Sequence, residues 1–151
     1  MHTFSGPNHD YLTHPHACTG PKIYNAHASI LDDRHSGSTR LHLDVADAVN
    51  ILTYAGTTPS GNAGYACWHV FSPEHAPALR EYLRTVRQGA SISDPIHDQA
   101  TYLTPAMLHE LYLQHGVRPY VIHQYLGDAV FIPAGCPHQV SSRKGPHRFM
   151  T

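Results

Sequence analysis

The most constraining feature of the sequence is the segment Gly127–His138, which reads GDAVFIPAGCPH. Its opening Gly-Asp pair predicts a tight hairpin turn, and the apolar residues 129–132 predict a buried strand after that turn. Pro133 and Gly135 predict a fixed bend that ends the strand. We therefore expect His138 to begin the next strand and to point into the mouth of a small β-barrel, where a metal ion could bind.

A second segment, residues 38–50 with the sequence STRLHLDVADAVN, offers matching ligands. His42 and Asp44 are separated by one residue, and side chains two positions apart in a strand point to the same face. With His138 they supply two imidazoles and one carboxylate, the set that holds non-haem iron(II) and leaves coordination positions open. A structural zinc site would be closed and would usually contain cysteine. The alternative is a hydrogen-bonded His42–Asp44 pair on a strand face, with no metal.

Composition narrows the class of protein. A length of 151 residues favours one domain with its own core. The formal net charge of −1 gives no electrostatic reason to expect binding to nucleic acid or to an anionic membrane. The three cysteines form no C-x-x-C pair, which favours a reducing intracellular compartment. No apolar run approaches the roughly 20 residues of a membrane helix.

Strands are predicted on both sides of a helical insertion. Residues 1–20, rich in His, Pro, Gly and Thr, predict a loop or disordered lead-in. The predicted strands are residues 22–30, 41–45, 48–55, 65–71 and 117–125, followed by the strand at 129–132. Without an alternating strand-helix repeat, this order favours an antiparallel barrel or jelly roll with helices packed outside it.

Two helices are predicted between those strands. The first has an apolar face at helical spacing, formed by Ala76, Leu79, Leu83 and Val86. Its start is open between two positions, because Pro73 and Pro77 both suit a first turn. The second is bounded by Thr104 as N-cap and by Gly116 just beyond its end.

Several stretches together resemble one family. GPKIYNA, STRLHLDVADAVN, DPIHDQ, YLTPAMLHELYLQHGV and GDAVFIPAGCPHQV resemble the Jumonji-C (JmjC) oxygenases of the cupin superfamily, and most closely the branch that demethylates lysine 9 of histone H3. The likeness runs from about residue 20 to residue 140. It implies a mostly β fold with a helical insertion, a double-stranded β-helix of the jelly-roll or cupin type. It also implies a JmjC domain at 21–142, between the lead-in 1–20 and a divergent tail 143–151.

The resemblance assigns roles to single residues. By motif position it makes His42, Asp44 and His138 ligands of iron(II), the implied cofactor. Thr39 and Asn50 match positions that contact the co-substrate 2-oxoglutarate in related enzymes. No general base is required by this chemistry.

The resemblance also implies an activity. That activity is a dioxygenase reaction that oxidises N-methyl-lysine and releases formaldehyde. The implied partner is a methylated histone H3 tail or another lysine-bearing protein, and the implied location is the nucleus. Tyr24 could line a methyl-lysine channel, where an aromatic face favours an ammonium group, or it could be a packed strand residue.

The sequence also departs from the family pattern. The position four residues after the last histidine ligand, usually Asn, is Ser142, and the following residues match poorly. We therefore expect the last barrel strand to be short, altered or missing, as in a truncated or mis-spliced copy, which would leave Val130 and Ile132 partly uncovered. The lysine that commonly pairs with 2-oxoglutarate is absent from residues 57–60. We therefore expect weak binding of 2-oxoglutarate unless Arg143, Lys144 or Lys22 reaches the pocket. The alternative function is therefore a catalytically weak or inactive JmjC fragment that acts at most as a metal-binding or protein-interaction module.

Three other groups of residues favour ordinary structural roles. Asp94, His97 and Asp98 resemble a second metal cluster, but they lie beside a proline in a loop where such residues commonly form turns and caps. His69 and His123 alternate with apolar residues, which is typical of barrel-wall positions. Cys136 is expected to be a small packing residue.

Overall fold

The structure, a computed structural model, describes residues 23–24, 39–58, 61–87 and 93–143. These residues form six strands and two α-helices. The strands are β1 (Thr39–His42), β2 (Ala48–Ile51), β3 (Tyr65–Val70), β4 (Tyr120–Gln124), β5 (Ala129–Ile132) and β6 (His138–Arg143), and the helices are α1 (Ala76–Val86) and α2 (Pro105–His115). The prediction of a mostly β fold with a helical insertion is confirmed.

The strands form two antiparallel sheets. The larger sheet has the order β1-β6-β3-β4, and the smaller sheet pairs β2 with β5. The chain crosses between the sheets repeatedly, as expected for a jelly roll. Within the residues described, the two sheets do not close into a continuous barrel.

Two apolar cores hold three layers together. One core lies between the two sheets and contains Ala66, Trp68, Val70, Val130, Ile132, Cys136 and Val140. The other lies between the larger sheet and the helices and contains Leu41, Phe71, Ala76, Leu79, Tyr82, Leu83, Ile96, Leu103, Leu111 and Val117. The larger sheet lies between the two cores: β3 and β6 supply buried residues to the core between the sheets, whereas Leu41 of β1 belongs to the helix-side core.

The second helix begins and ends where its sequence signals predict. In α2 the hydroxyl of Thr104 accepts a hydrogen bond from the backbone N–H of Met107 at 3.3 Å. Gly116 ends the helix with a φ of 68°, a conformation that costs glycine little. α1 follows a single 3₁₀ turn at Pro73–His75. No helix in the described ranges is long and apolar enough to cross a membrane.

Two predictions were wrong. Gly127 and Asp128 do not form a hairpin turn, because β4 pairs with β3 whereas β5 pairs with β2. The turn instead carries the chain from one sheet to the other. Val130 and Ile132 are not partly uncovered, since they are 4% and 3% exposed between the sheets. The predicted strand at residues 22–30 lies almost entirely outside the described residues.

A buried glutamine ties the segment before α2 to strand β6. The side-chain oxygen of Gln139 accepts from the backbone N–H of Leu103 at 2.7 Å, and its amide group donates to the Leu103 carbonyl at 2.8 Å. The same amide group donates to Nδ1 of His69 at 3.2 Å. Gln139 thus takes the place of a strand partner for Leu103, and both residues are fully buried.

This arrangement requires a neutral His69. Its Nδ1 accepts a hydrogen bond and so cannot also carry a proton. Burial, followed by the nearby charges of Arg143 and His123, lowers the pKa of His69 to about 4. A histidine in the unfolded chain has a higher pKa, so the unfolded state binds more protons between about pH 4 and pH 6.5.

Acidification from pH 6.5 to pH 4 is therefore expected to destabilise the fold through His69. The contribution should be about 2–3 kcal/mol, since each unit of pKa difference is worth about 1.4 kcal/mol. Urea unfolding across this range, compared with the His69→Asn variant, measures it. Asparagine keeps an acceptor near the position of Nδ1 but does not titrate. An equally steep loss of stability in the variant would contradict this assignment.

Candidate metal centre

Three side chains from two distant segments meet at one end of the larger sheet. One ligand atom from each of His42, Asp44 and His138 lies within 4.8 Å of the others. Nε2 of His138 is 3.8 Å from a carboxylate oxygen of Asp44, and the two imidazole rings have centroids 4.2 Å apart. The structure thus brings together all three residues for which the sequence predicts metal binding.

An irregularity in β1 points His42 toward His138. Thr39 is opposite Val140 and His42 is opposite His138, so three steps along β1 match two steps along β6. In a regular strand, residues three apart face opposite sides, and the extra residue of a bulge restores the same side. Leu41 leaves the ladder, donates its N–H to the Thr101 carbonyl at 2.9 Å and packs in the helix-side core. Asp44 lies beyond the end of the strand, so its position does not follow from strand alternation.

Both imidazoles are oriented by their own backbone. Nδ1 of His42 donates to the Arg40 carbonyl at 2.9 Å, and Nδ1 of His138 donates to the Cys136 carbonyl at 3.0 Å. A carbonyl oxygen can only accept, so Nδ1 carries the proton in each ring. The lone pair therefore belongs to Nε2 in both residues, and this nitrogen can coordinate a metal.

Two hydrogen bonds join the segments that carry the ligands. The backbone N–H of Gly135 donates to the Asp44 carbonyl at 2.8 Å, and that of Ala134 donates to the Asp47 carboxylate at 2.7 Å. Gly135 has a φ of 76°, which other residues adopt only with strain. The predicted bend between β5 and β6 is therefore present, and it is tied directly to a ligand residue.

The electrostatic environment suits metal coordination. His138 is 3% exposed, and burial is the main cause that lowers its pKa, with a smaller contribution in the same direction from His42. A lowered pKa keeps the imidazole neutral, the form that binds metals. The side chain of Asp44 is 45% exposed, so the site is open to solvent on that side. Two imidazole Nε2 donors and one carboxylate fit a divalent iron with free coordination positions.

Thr39 and Asn50, which are predicted to contact a co-substrate, lie on the inner faces of the sheets, the faces that border the core between them. Thr39 is opposite Val140 in the larger sheet, and Asn50 is opposite Val130 in the smaller one. Val140 and Val130 both belong to the core between the sheets. Thr39 and Asn50 therefore share the interior with His138, but their contact with a co-substrate stays a prediction.

Sequence reasoning missed two residues next to this site. The ring of Trp68 stacks on His138, with centroids 5.9 Å apart and planes inclined by 27°. Its indole N–H donates to the side chain of Gln124, which is 1% exposed. The sequence shows only that a tryptophan and a glutamine stand among the apolar residues of two predicted strands. Their contact becomes evident only when the pairing of those strands is known.

The loop around Asp94 has the expected structural role. Asp94 accepts hydrogen bonds from the backbone N–H of Ile96 and from the side chains of Arg80 and His97. Asp98 forms an ion pair with Arg87. None of these loop residues belongs to the cluster of His42, Asp44 and His138. Tyr24 is 69% exposed, and residues 25–38 lie outside the described ranges, so both of its proposed roles stay predictions.

Comparison with known proteins identifies the family. Residues 34–145 match the family model described as JmjC domain, hydroxylase, and this span contains all three candidate ligands. The chain belongs to the JmjC domain family. Members of this family with demethylase activity generally depend on iron(II) and 2-oxoglutarate, and the His-Asp-His cluster of this JmjC domain matches the metal requirement.

Several lysine-specific demethylases are similar to this JmjC domain. Lysine-specific demethylase 3A-A of Xenopus laevis is 38% identical over 155 residues, which cover 80% of this chain and 12% of the frog protein. The human lysine-specific demethylase 3A is 36% identical over 155 residues, which cover 80% of this chain and 12% of the human protein. Lysine-specific demethylase 3 of Drosophila melanogaster is 39% identical over 158 residues, 82% of this chain and 18% of the fly protein. The chain thus spans less than a fifth of the length of each relative.

Proposed function

We propose that the chain is an iron(II)- and 2-oxoglutarate-dependent dioxygenase that oxidises N-methyl-lysine and releases formaldehyde. One observation carries the proposal: His42, Asp44 and His138 converge with both Nε2 atoms available, inside a JmjC domain. The similar proteins are named lysine-specific demethylases, which supports the reaction class. The proposed substrate is a methylated histone H3 tail or another lysine-bearing protein, and the proposed location is the nucleus.

Iron bound at this site would supply oxygen activation with 2-oxoglutarate as the electron donor. The residues of the chain would bind, orient and shield the reacting groups. The backbone carbonyls at Arg40 and Cys136 hold the two imidazoles in their metal-binding orientation. The core between the sheets keeps water away from His138, whereas the more exposed Asp44 marks the open side. Thr39 and Asn50 are the proposed polar contacts of the co-substrate.

A second candidate function is a metal-binding module with weak or no turnover. None of the residues in β2–β6 that share the inner face carries a positive charge. Arg143 alternates with Ser142 in β6 and so lies on the outer face, near Tyr65 and Cys67. Thr57 and Thr58 belong to a small turn, in which Thr57 pairs with Ala63. A carboxylate desolvated in the interior without a cation would be costly, and this favours weak binding of 2-oxoglutarate.

Formaldehyde release distinguishes the two candidates. With iron(II), ascorbate and 2-oxoglutarate, the chain is expected to demethylate a histone H3 peptide dimethylated at lysine 9. The Asp44→Ala variant should lose at least about a hundredfold in rate, because it removes one of three ligands, and even changes in groups that only support ligands cost about tenfold to a hundredfold. Metal binding without formaldehyde release would favour the module, and equal release by both proteins would contradict the proposed site.

A further inference from the structure

A chain of buried side-chain hydrogen bonds crosses the interior from the larger sheet to the smaller one. The indole N–H of Trp68 donates to the side-chain oxygen of Gln124 at 2.8 Å. The amide nitrogen of Gln124 lies 3.1 Å from the side-chain oxygen of Asn50, 2.9 Å from the Asn50 carbonyl and 3.1 Å from the Asp128 carbonyl. Trp68 and Gln124 are 4% and 1% exposed, so their mutual hydrogen bond is shielded from water, whereas the contacts of Gln124 with Asn50 and Asp128 are partly buried.

The donor-to-acceptor direction of these hydrogen bonds is fixed at the Trp68 end. An indole nitrogen can only donate, so the atom of Gln124 that faces it must be the amide oxygen. The Gln124 amide nitrogen must then find acceptors on the other side, and Asn50 meets it with its side-chain oxygen. The Asn50 amide N–H groups consequently point away from Gln124, and no acceptor within the described ranges takes a hydrogen bond from them.

We infer that Gln124, held by Trp68, is a positioning residue that presents the Asn50 amide as a hydrogen-bond donor to the co-substrate. This inference rests on the proposed function, because it assigns Asn50 an anionic or carbonyl ligand such as 2-oxoglutarate. A free asparagine amide could turn over and offer its oxygen, which would repel a carboxylate. With its oxygen already bound by Gln124, the Asn50 side chain offers only hydrogen-bond donors. The conformational entropy of this side chain is therefore lost during folding rather than when the co-substrate binds.

The same tryptophan connects this chain of hydrogen bonds, which we call the Trp68–Gln124–Asn50 relay, to the metal site. The Trp68 ring stacks on His138, one of the proposed ligands, while its N–H group holds Gln124. The two roles can be separated, because phenylalanine keeps an aromatic ring but has no N–H. Trp68→Phe should therefore release Gln124 and Asn50 while it leaves a ring over His138.

Calorimetry with 2-oxoglutarate and the Mn(II)-loaded protein tests the relay. Gln124→Met and Trp68→Phe should each weaken 2-oxoglutarate binding by about twofold to tenfold, the range of one neutral hydrogen bond, with Mn(II) affinity unchanged. In an Asn50→Ala background, Gln124→Met should cause no further loss, because its effect passes through Asn50. An equal loss in both backgrounds would show a merely structural role and overturn the inference.

Nuclear magnetic resonance separates this inference from the proposed function. The chain has a single tryptophan, so its one indole N–H signal should exchange slowly with solvent in the unaltered protein. The side-chain amide signals of Asn50 should shift in both Gln124→Met and Trp68→Phe. If 2-oxoglutarate does not bind the unaltered protein, the proposed function fails, whereas the relay is supported by these shifts. Rapid indole exchange, or unmoved Asn50 signals, would overturn the relay whatever the ligand result.

Discussion

Replacing His138 by alanine is expected to lower the affinity of the chain for Mn(II) by about tenfold to a hundredfold or more, since even losses beyond the ligand shell cost that much. His138 is buried, its Nε2 faces Asp44, and its Nδ1 is bound to the Cys136 carbonyl. The variant removes a neutral nitrogen donor that no other residue of the cluster can replace. Equilibrium dialysis or calorimetry with Mn(II) measures the change.

His109→Ala is a matched control for this measurement. His109 is an exposed histidine on α2, outside the three-ligand cluster. Its removal should leave Mn(II) affinity unchanged, which separates the site from nonspecific binding by a chain with 15 histidines. If the His138→Ala variant bound Mn(II) as tightly as the His109→Ala variant, the proposed ligand set would be wrong.

Replacing Gln139 by leucine is expected to destabilise the fold by about 2–6 kcal/mol, because two buried backbone groups would each lose a partner at about 1–3 kcal/mol. Those groups are the N–H and the carbonyl of Leu103, which Gln139 binds simultaneously. Folded domains are stable by only about 5–15 kcal/mol, so this loss is a large fraction of the total. Urea unfolding monitored by circular dichroism measures it.

Gln114→Leu provides the comparison. Gln114 is exposed near the end of α2, so the same chemical change there should alter stability by less than about 0.5 kcal/mol, the usual range for surface positions. A Gln139→Leu variant as stable as Gln114→Leu would show that the contact with Leu103 contributes little. The comparison also separates loss of the hydrogen bonds from any general effect of an added leucine.

Local signals in the sequence explain why some elements were predicted correctly. Thr104, Pro105 and Gly116 each act within one turn of α2, so the limits of that helix follow from neighbouring residues alone. The bend at residues 133–136 depends in the same way on Pro133 and Gly135, and the structure contains it. The convergence of His42, Asp44 and His138 followed from motif spacing, although Asp44 lies beyond the strand that was expected to carry it.

Features that depend on distant pairing could not be predicted. A Gly-Asp pair between two strands indicates a hairpin, but whether β4 and β5 pair depends on β2 and β3, which compete for them. The irregularity in β1 is equally hidden, because it becomes visible only against the register of β6. The relay from Trp68 to Asn50 joins residues from three strands, and no local pattern reports such a contact.

The most direct test of the proposed metal centre is a Co(II) titration followed by Trp68 fluorescence. The single tryptophan stacks on His138, so a transition metal bound at Nε2 should quench its emission. We expect saturable quenching at one equivalent of Co(II). The double variant His42→Ala/Asp44→Ala leaves both His138 and Trp68 in place and should abolish that quenching at the same concentration. Undiminished quenching in the double variant, or none in the unaltered chain, would contradict a metal centre at His42, Asp44 and His138.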